Sequence, residues 1–230
     1  MATWKIHNNI AVKCKDVLEV ENMNEYLLGA IFPDLLRLEG SYDKDIVRGL
    51  HEYLPRIGTD GVTVIDAFFT PNIPVFLIKY KDEILKSDFF KGWFTHICVD
   101  YMFNDFANRR VLSVSNDGKY VIKTKAGIEI IPDRHVLVGM KHDDFSMYGS
   151  SLIAIPIATF NMNKELLSFI ENKIKQSFSV LKAVDEHNRI ISSTVSEEKA
   201  DTILFSKREY DIICMRCIQY IDIIYDSLFD

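Results

Sequence analysis

The spacing of apolar residues along the chain predicts a mostly helical protein. Apolar side chains recur every three or four residues over most of the sequence, which is the period of a helix with one face on a core. The helices predicted in this way cover residues 5–20, 24–31, 74–85, 87–106, 135–157, 164–182 and 206–228. Pro33 is expected to end the second of them, because proline disfavours helical backbone in the residue before it. The polar residues 185–201 are expected to form a loop.

Between residues 110 and 132 the pattern changes from a helical period to strict alternation. Residues 110–115 and 119–124 alternate around Asn116-Asp117-Gly118, which is a strong β-hairpin signal. A third strand-like run, 127–131, follows them. We therefore predict a hairpin inserted in a helical protein.

Residues 39–72 are rich in Gly, Asp, Thr and Pro and are expected to be irregular, with a short strand or turn at 62–69. No repeat or low-complexity tract divides the chain. We predict one mostly α domain over residues 1–230, a multi-helix bundle with the hairpin inserted near 110–132.

Composition places the chain among ordinary globular proteins. It has 230 residues, of which 48% are hydrophobic and 26% charged, enough to bury a sizeable core. The net charge of -6 argues against binding to a nucleic-acid backbone. The sequence shows no secretory signal, and no apolar run reaches the ~18 residues of a transmembrane helix. We expect a cytoplasmic protein.

His96 and Asp100 carry the strongest chemical signal. They stand four residues apart in a predicted helix, so their side chains project from one face, one turn apart. An imidazole and a carboxylate in this arrangement can bind one divalent cation. Burying both among apolar neighbours is costly unless they have a partner. The alternative is a hydrogen-bonded pair in the core of a helical interaction domain that binds no metal.

His7 and Asp34 extend this pair to a set of nitrogen and oxygen ligands. Such a set suits zinc, or alternatively manganese or iron. An ion with an open coordination position turns bound water into a nucleophile, which Asp34 or Asp144 could orient. Asp34 follows a proline and could instead be a helix N-cap.

The remaining histidines are weaker candidates. His142 and Asp143 match the dyad of HD-type phosphohydrolases, but the motif's other residues have no convincing counterparts. His135 and His187 are expected to be solvated.

Three motifs in order resemble the zinc-dependent phospholipase C family, especially its small intracellular members of unassigned substrate. They are residues 6–11 (IHNNIA), 26–34 (YLLGAIFPD) and 89–100 (FFKGWFTHICVD). Residues 140–148 (MKHDDFSMY) resemble a later element of the family. The resemblance covers roughly residues 5–160.

The resemblance implies an all-helical bundle whose central cleft holds one to three zinc ions. His7, Asp34, His96 and Asp100 would be ligands, with Asp100 able to bridge two ions. The family has a further histidine between the second and third motifs, and His51 is the candidate for it.

The chain also departs from the family. The tryptophan whose amine binds metal in the secreted enzymes has no counterpart, because Trp4 is internal. Their downstream pair of histidines and glutamate is replaced by the hairpin and by His135, His142, Asp143 and Asp144. Their lipid-binding β-domain is missing, so a small soluble phosphoester is the expected substrate.

Two functions of different classes follow. One is a zinc-dependent phosphoesterase of the phospholipase C or phosphodiesterase kind, acting by metal-activated water. The other is a non-catalytic helical protein that retains at most a structural ion and binds a ligand or a protein partner.

Overall fold

The computed structural model describes residues 3–38, 43–53, 68–159, 162–174, 178–193 and 202–229. Over these residues the chain forms nine α-helices and one three-stranded antiparallel sheet. The helices are α1 (Trp4–Cys14), α2 (Met23–Leu35), α3 (Lys44–Leu50), α4 (Ile73–Lys86), α5 (Asp88–Asn108), α6 (Arg134–Ser150), α7 (Lys164–Ile174), α8 (Val180–Ser192) and α9 (Lys207–Asp226). The strands are β1 (Val111–Val114), β2 (Tyr120–Lys123) and β3 (Ile128–Ile131). The predicted mostly helical class is confirmed.

The inserted element is a small sheet in the order β1-β2-β3. Its first turn contains Gly118 at φ 81°, a backbone conformation that glycine adopts without steric cost. The third strand pairs with β2 from Ile128 opposite Lys123 to Ile131 opposite Tyr120. The hairpin and the third strand-like run predicted from alternation are therefore both present.

Helices α2 and α5 lie in backbone contact at the centre of the bundle. A Cβ atom on Gly29 would lie 1.9 Å from the Phe89 carbonyl oxygen. A Cβ atom on Gly92 would lie 2.0 Å from the Tyr26 carbonyl oxygen. Only glycine therefore permits this approach at either position. The contact brings polar side chains of α2 beside those of α5, where every side chain from 91 to 100 is buried.

The predicted end of the second helix is wrong, because α2 continues through Pro33 to Leu35. A proline inside a helix removes one hydrogen bond, and here that loss falls in the last turn. The chain then forms a short 3-10 turn, Leu36–Leu38. Asp34 is consequently inside the last turn of α2, and the alternative N-cap role is excluded.

Other predicted boundaries differ as well, because α1 ends at Cys14 and α6 at Ser150, short of the predicted ends at residues 20 and 157. In place of one helix over 164–182, α7 ends at Ile174 and α8 begins at Val180, and residues 185–192 are helical instead of loop. Phe178 and Val180 are both buried, so the apolar pattern continues between the two helices and does not reveal the break. The predicted irregular region 39–72 contains α3. The strand or turn predicted at 62–69 lies mostly outside the described residues.

Candidate metal centre

Five buried polar side chains meet where α1, α2 and α5 pack against the end of α3. Each is at most 2% exposed. They are His7 on α1, Asp34 on α2, His51 directly after α3, and His96 and Asp100 on α5. These are the five residues predicted as ligands, and the structure brings all of them together.

Asp100 lies at the centre of this cluster. Its Oδ1 is 3.5 Å from His7 Nε2. Its Oδ2 is 3.6 Å from His51 Nε2 and 3.8 Å from His96 Nε2. The two carboxylate oxygens thus face different histidines, which is the arrangement of a carboxylate that can bridge two ions.

Asp34 completes a second group of ligand atoms. Its Oδ1 lies 3.3 Å from His51 Nε2. Two sets of three side chains hold their ligand atoms within 4.8 Å of one another, and they share His96. One set is His7, His96 and Asp100, and the other is Asp34, His51 and His96.

The tautomers of His51 and His96 follow from their backbone partners. His51 Nδ1 lies 2.7 Å from the Val47 carbonyl oxygen, and His96 Nδ1 lies 2.7 Å from the Ala30 carbonyl oxygen. A carbonyl oxygen only accepts, so both Nδ1 atoms carry the proton. In the neutral rings each Nε2 atom then carries an unshared lone pair and no proton. They face each other at 3.2 Å.

Two lone pairs at this distance repel unless a cation or a proton lies between them. Histidines that bind metals usually donate their other ring N–H to a carbonyl or carboxylate in this way. The nitrogen separation also fits, because two ligands of a tetrahedral zinc ion at ~2.0–2.1 Å lie roughly 3.3 Å apart. The geometry of His51 and His96 therefore suits a shared metal ion.

His7 provides an independent test of the fit. Among the described residues, neither of its ring nitrogens makes a hydrogen bond of good geometry. Its ring stacks on His96, with centroids 4.0 Å apart and planes 4° from parallel. A buried polar group without a partner costs about 1–3 kcal/mol. An ion between His7 and Asp100 would remove this cost, so the donor set fits a metal.

Other side chains hold the cluster in place. The Trp93 indole N–H donates to the Leu50 carbonyl at 2.9 Å, which fixes the end of α3, and thus His51, against α5. The Tyr53 hydroxyl donates to Asp100 Oδ2 at 3.2 Å, and its ring stacks on His51. Arg37 Nε lies 2.9 Å from Asp34 Oδ1. These contacts orient ligands that the metal would otherwise have to order.

Burial and mutual contact set the charges. Burial, reinforced by the stacked His7 ring, lowers the pKa of His96 to about 3, so this ring is neutral at physiological pH. Burial alone would raise the pKa of Asp34, but the Arg37 guanidinium and His51 hold it below its usual range. The neighbouring His7 and His96 likewise hold the pKa of Asp100 well below its usual range. Neutral imidazoles and ionised carboxylates are the forms that bind metals.

These pKa shifts predict acid sensitivity of the metal-free protein. The unfolded chain protonates histidine near pH 6.5, whereas folded His96 does so only near 3. Protons therefore favour the unfolded state, and stability should fall by a few kcal/mol as the pH drops through this window. Urea unfolding at several pH values, with chelator present, measures the slope. The dependence of stability on pH should be weaker in His96→Gln and unchanged in His135→Gln, which replaces an exposed histidine. Equal slopes in the wild type and His96→Gln would contradict the prediction.

Asp144 is buried elsewhere for a different reason. Its carboxylate accepts hydrogen bonds from the backbone N–H of Ile203, from that of Leu204 at 2.8 Å, and from the Tyr210 hydroxyl at 2.9 Å. It belongs to neither ligand group. Asp144 thus joins α6 to the start of α9, which accounts for its burial without a role in orienting water.

The weaker candidates lie apart from the cluster. His135, His142 and Asp143 are exposed on α6, so nothing supports the HD-type reading. His187 is buried on α8 against the Trp4 ring, with centroids 5.4 Å apart. The expectation that His187 is solvated is wrong, because the predicted loop around it is a helix.

Helix α5 carries a row of four polar side chains, and the sequence analysis identified only the first two. His96, Asp100, Asn104 and Asn108 recur every four residues and form what we call the α5 polar row. The Asn104 amide donates to the Phe69 carbonyl at 2.8 Å, and Asn108 makes hydrogen bonds with both backbone groups of Phe68. The four-residue repeat in an apolar helix was the signal that could have found them.

No family model, curated protein or solved structure matches this chain. The resemblance to the zinc-dependent phospholipase C family therefore stays a prediction. Within the described residues, no helix combines the length and apolar character needed to span a membrane.

Proposed function

We propose that this chain is a metal-dependent hydrolase, with zinc as the expected metal, which cleaves a phosphoester using metal-activated water. The observation that carries the proposal is the facing pair of His51 and His96. Their Nε2 atoms are 3.2 Å apart while both Nδ1 atoms are bonded to carbonyls, an arrangement that favours a cation. A histidine-rich set with carboxylates is typical of zinc sites, and manganese or iron are the alternatives.

The lone pairs that the histidines leave free limit how the two ligand groups can be occupied. His96 has a single Nε2, because its Nδ1 is used by Ala30, so it can serve only one of the two ligand groups. One ion would draw on His51, His96 and Asp34. His7 and Asp100 could hold a second.

A divalent ion held here would supply a nucleophile by lowering the pKa of a bound water from about 15.7 toward about 7. The chain's own residues have defined tasks. Asp34, kept ionised beside Arg37, can accept a hydrogen bond from the attacking water and orient it. The Tyr53 hydroxyl holds the Asp100 carboxylate in position. Arg37, 28% exposed, lies beside Asp34 and can neutralise charge on a phosphate.

A second candidate is a helical binding protein in which the ion is structural and the partner is a ligand or another protein. The near-complete burial of the cluster favours it, since four of the five side chains are 0% exposed. A structural zinc site has four protein ligands, whereas a catalytic site keeps one position open. Stoichiometry and coordination therefore separate the two candidates.

The first experiment is elemental analysis of protein purified without a metal-affinity tag or added zinc. We expect at least one equivalent of zinc in the wild type and loss of it in His96→Ala. The control is His187→Ala, which removes another fully buried histidine outside the cluster and should leave the zinc in place. A folded wild-type protein without metal would overturn the proposal.

Activity then distinguishes the candidates. Hydrolysis of chromogenic phosphate monoesters and diesters should be abolished by a chelator and restored by zinc. Stoichiometric zinc with four protein ligands in the X-ray absorption spectrum, and no hydrolysis, would favour the structural ion instead.

A further inference from the structure

A cleft of about 260 Å³ lies between the end of α5 and the first half of α9. Its volume is close to the lower end of the ~300–1,000 Å³ of pockets that hold small molecules. Two isoleucines of α9 contribute to its lining, and the other side chains are basic, acidic or aromatic. We call it the arginine cleft, and these other residues are Phe106, Arg109, Arg110, Phe205, Glu209 and Arg216.

The arginine cleft and the metal centre use different sides of α5. Phe106 follows Asn104 of the α5 polar row by two residues, and side chains two residues apart on a helix point to nearly opposite sides. None of the residues that line the cleft belongs to either ligand group of the metal centre. A ligand of the cleft is therefore independent of the proposed function.

Two of the three arginines are bound by carboxylates of the chain. Arg109 Nε donates to Asp105 Oδ2 at 2.9 Å, and its Nη2 lies 2.7 Å from the same oxygen. Arg110 Nη2 donates to Glu209 Oε1, while the Glu209 Oε2 atom is held by the capping box with Ser206. The Arg110 guanidinium also lies 4.4 Å from the Phe205 ring centroid, so this wall of the cleft is fixed before a ligand binds.

Arg216 differs from the other two arginines. Among the described residues, its guanidinium makes no hydrogen bond and has no carboxylate within 4.0 Å. It lies 5.7 Å from the Phe106 ring centroid, and the Arg109 guanidinium lies 5.2 Å from the same centroid. In the same cleft, the Arg110 Nε–H is buried, and no acceptor in the described part of the chain bonds to it. The cleft thus has a positive charge and hydrogen-bond donors that the described residues leave without partners.

We propose that the arginine cleft binds a small aromatic carboxylate, with the carboxylate on Arg216 and the ring beside the apolar side chains. A guanidinium is planar and can bind a carboxylate through two parallel hydrogen bonds. One guanidinium without a partner is neutralised by one negative charge. A flat ring suits the remaining surface, because aromatic rings stack on phenylalanine rings and on guanidinium planes.

The probe for this site is 1-naphthylacetate, and 1-naphthylacetamide has nearly the same shape without the charge. Binding is followed by ¹H–¹⁵N NMR titration of the wild type, Arg216→Met and Arg189→Met. Loss of a charged hydrogen-bond donor should weaken binding of the acid about 10- to 100-fold in Arg216→Met. Arg189→Met removes an arginine of α8 that is 70% exposed and lies outside the cleft, so it should bind the acid like the wild type.

A comparison on the wild type alone makes the test independent of any variant. The wild type should bind the acid about 10- to 100-fold more tightly than the amide, because only the acid can form charged hydrogen bonds with Arg216. The acid should shift the backbone resonances of Phe106, Ile212 and Arg216, which line the cleft. Equal affinity for the acid and the amide would overturn the inference.

The variants also separate the cleft from the metal centre, where a carboxylate could bind an ion. Binding at the centre would survive Arg216→Met and be lost in Asp100→Asn. Binding at the cleft would show the reverse pattern and supports the inference. Acid bound only at the metal centre, or no binding of the acid by the wild type, would refute a carboxylate site in the cleft.

Discussion

Asp100→Asn is expected to release metal from the centre while the protein stays folded. The carboxylate faces all three histidines of the cluster, and a neutral amide is a far poorer ligand for a divalent ion. Loss of partners outside the first coordination shell already lowers metal affinity 10–100-fold, so we expect at least about a 100-fold loss here. Competition with a chromogenic chelator measures the affinity, and any phosphoester hydrolysis should disappear with the metal.

Asp144→Asn is the matched control, because it changes another fully buried carboxylate in the same way. Asp144 accepts hydrogen bonds from Leu204 and Tyr210, so its loss should lower the free energy of unfolding by about 1–3 kcal/mol. Its zinc affinity should equal that of the wild type. Wild-type zinc affinity in Asp100→Asn would show that the carboxylate is not a ligand.

Gly29→Ala is expected to have the largest effect on stability. The new methyl group would lie 1.9 Å from the Phe89 carbonyl oxygen, and neither helix backbone can yield by a side-chain movement. We expect a loss of more than about 3 kcal/mol in the free energy of unfolding, above the usual range for an overpacked core. Separating α2 from α5 would also break the hydrogen bond between His96 and the Ala30 carbonyl. Urea unfolding and zinc analysis of the same samples measure both effects.

Gly49→Ala is the control for this prediction. Gly49 lies in α3, and no atom is within 4 Å of the position of its Cβ. Replacing an unobstructed helical glycine by alanine should stabilise the protein by about 0.5–1 kcal/mol. If Gly29→Ala were as stable as Gly49→Ala, the close contact between α2 and α5 would be refuted.

The sequence predicts the elements better than their ends. The apolar period and the turn residues located the sheet and the final helix, which begins with a capping box between Ser206 and Glu209. Pro33 misled the prediction because a proline in the last turn costs a helix only one hydrogen bond. The break between α7 and α8 left no mark on the apolar pattern. The backbone contact at Gly29 and Gly92 is a property of two helices together, which neither helix's own sequence encodes.

The candidate site was predictable where its residues share a helix or a motif. His96 and Asp100 were found from helical spacing alone, and His51 only through the family resemblance. Its place beside His96 depends on Trp93 binding the end of α3, a contact between residues far apart in sequence. Lys141 contacts the α5 polar row from another helix, so no residue spacing within one helix could predict this contact. Asp144 was expected at the site because its motif does not reveal the groups that hydrogen-bond to its carboxylate.

The hydrogen bond from His51 Nδ1 to the Val47 carbonyl has a consequence for how α3 orders. This helix has only seven residues, too few to be stable alone, and His51 closes its last turn by bonding to its own helix. An ion captured by His51 Nε2 would restrain the ring and, through Nδ1, the end of the helix. Helices α2 and α5 are already rigid through their backbone contact. Ion capture and the ordering of α3 would thus be one cooperative local transition within an otherwise preformed fold.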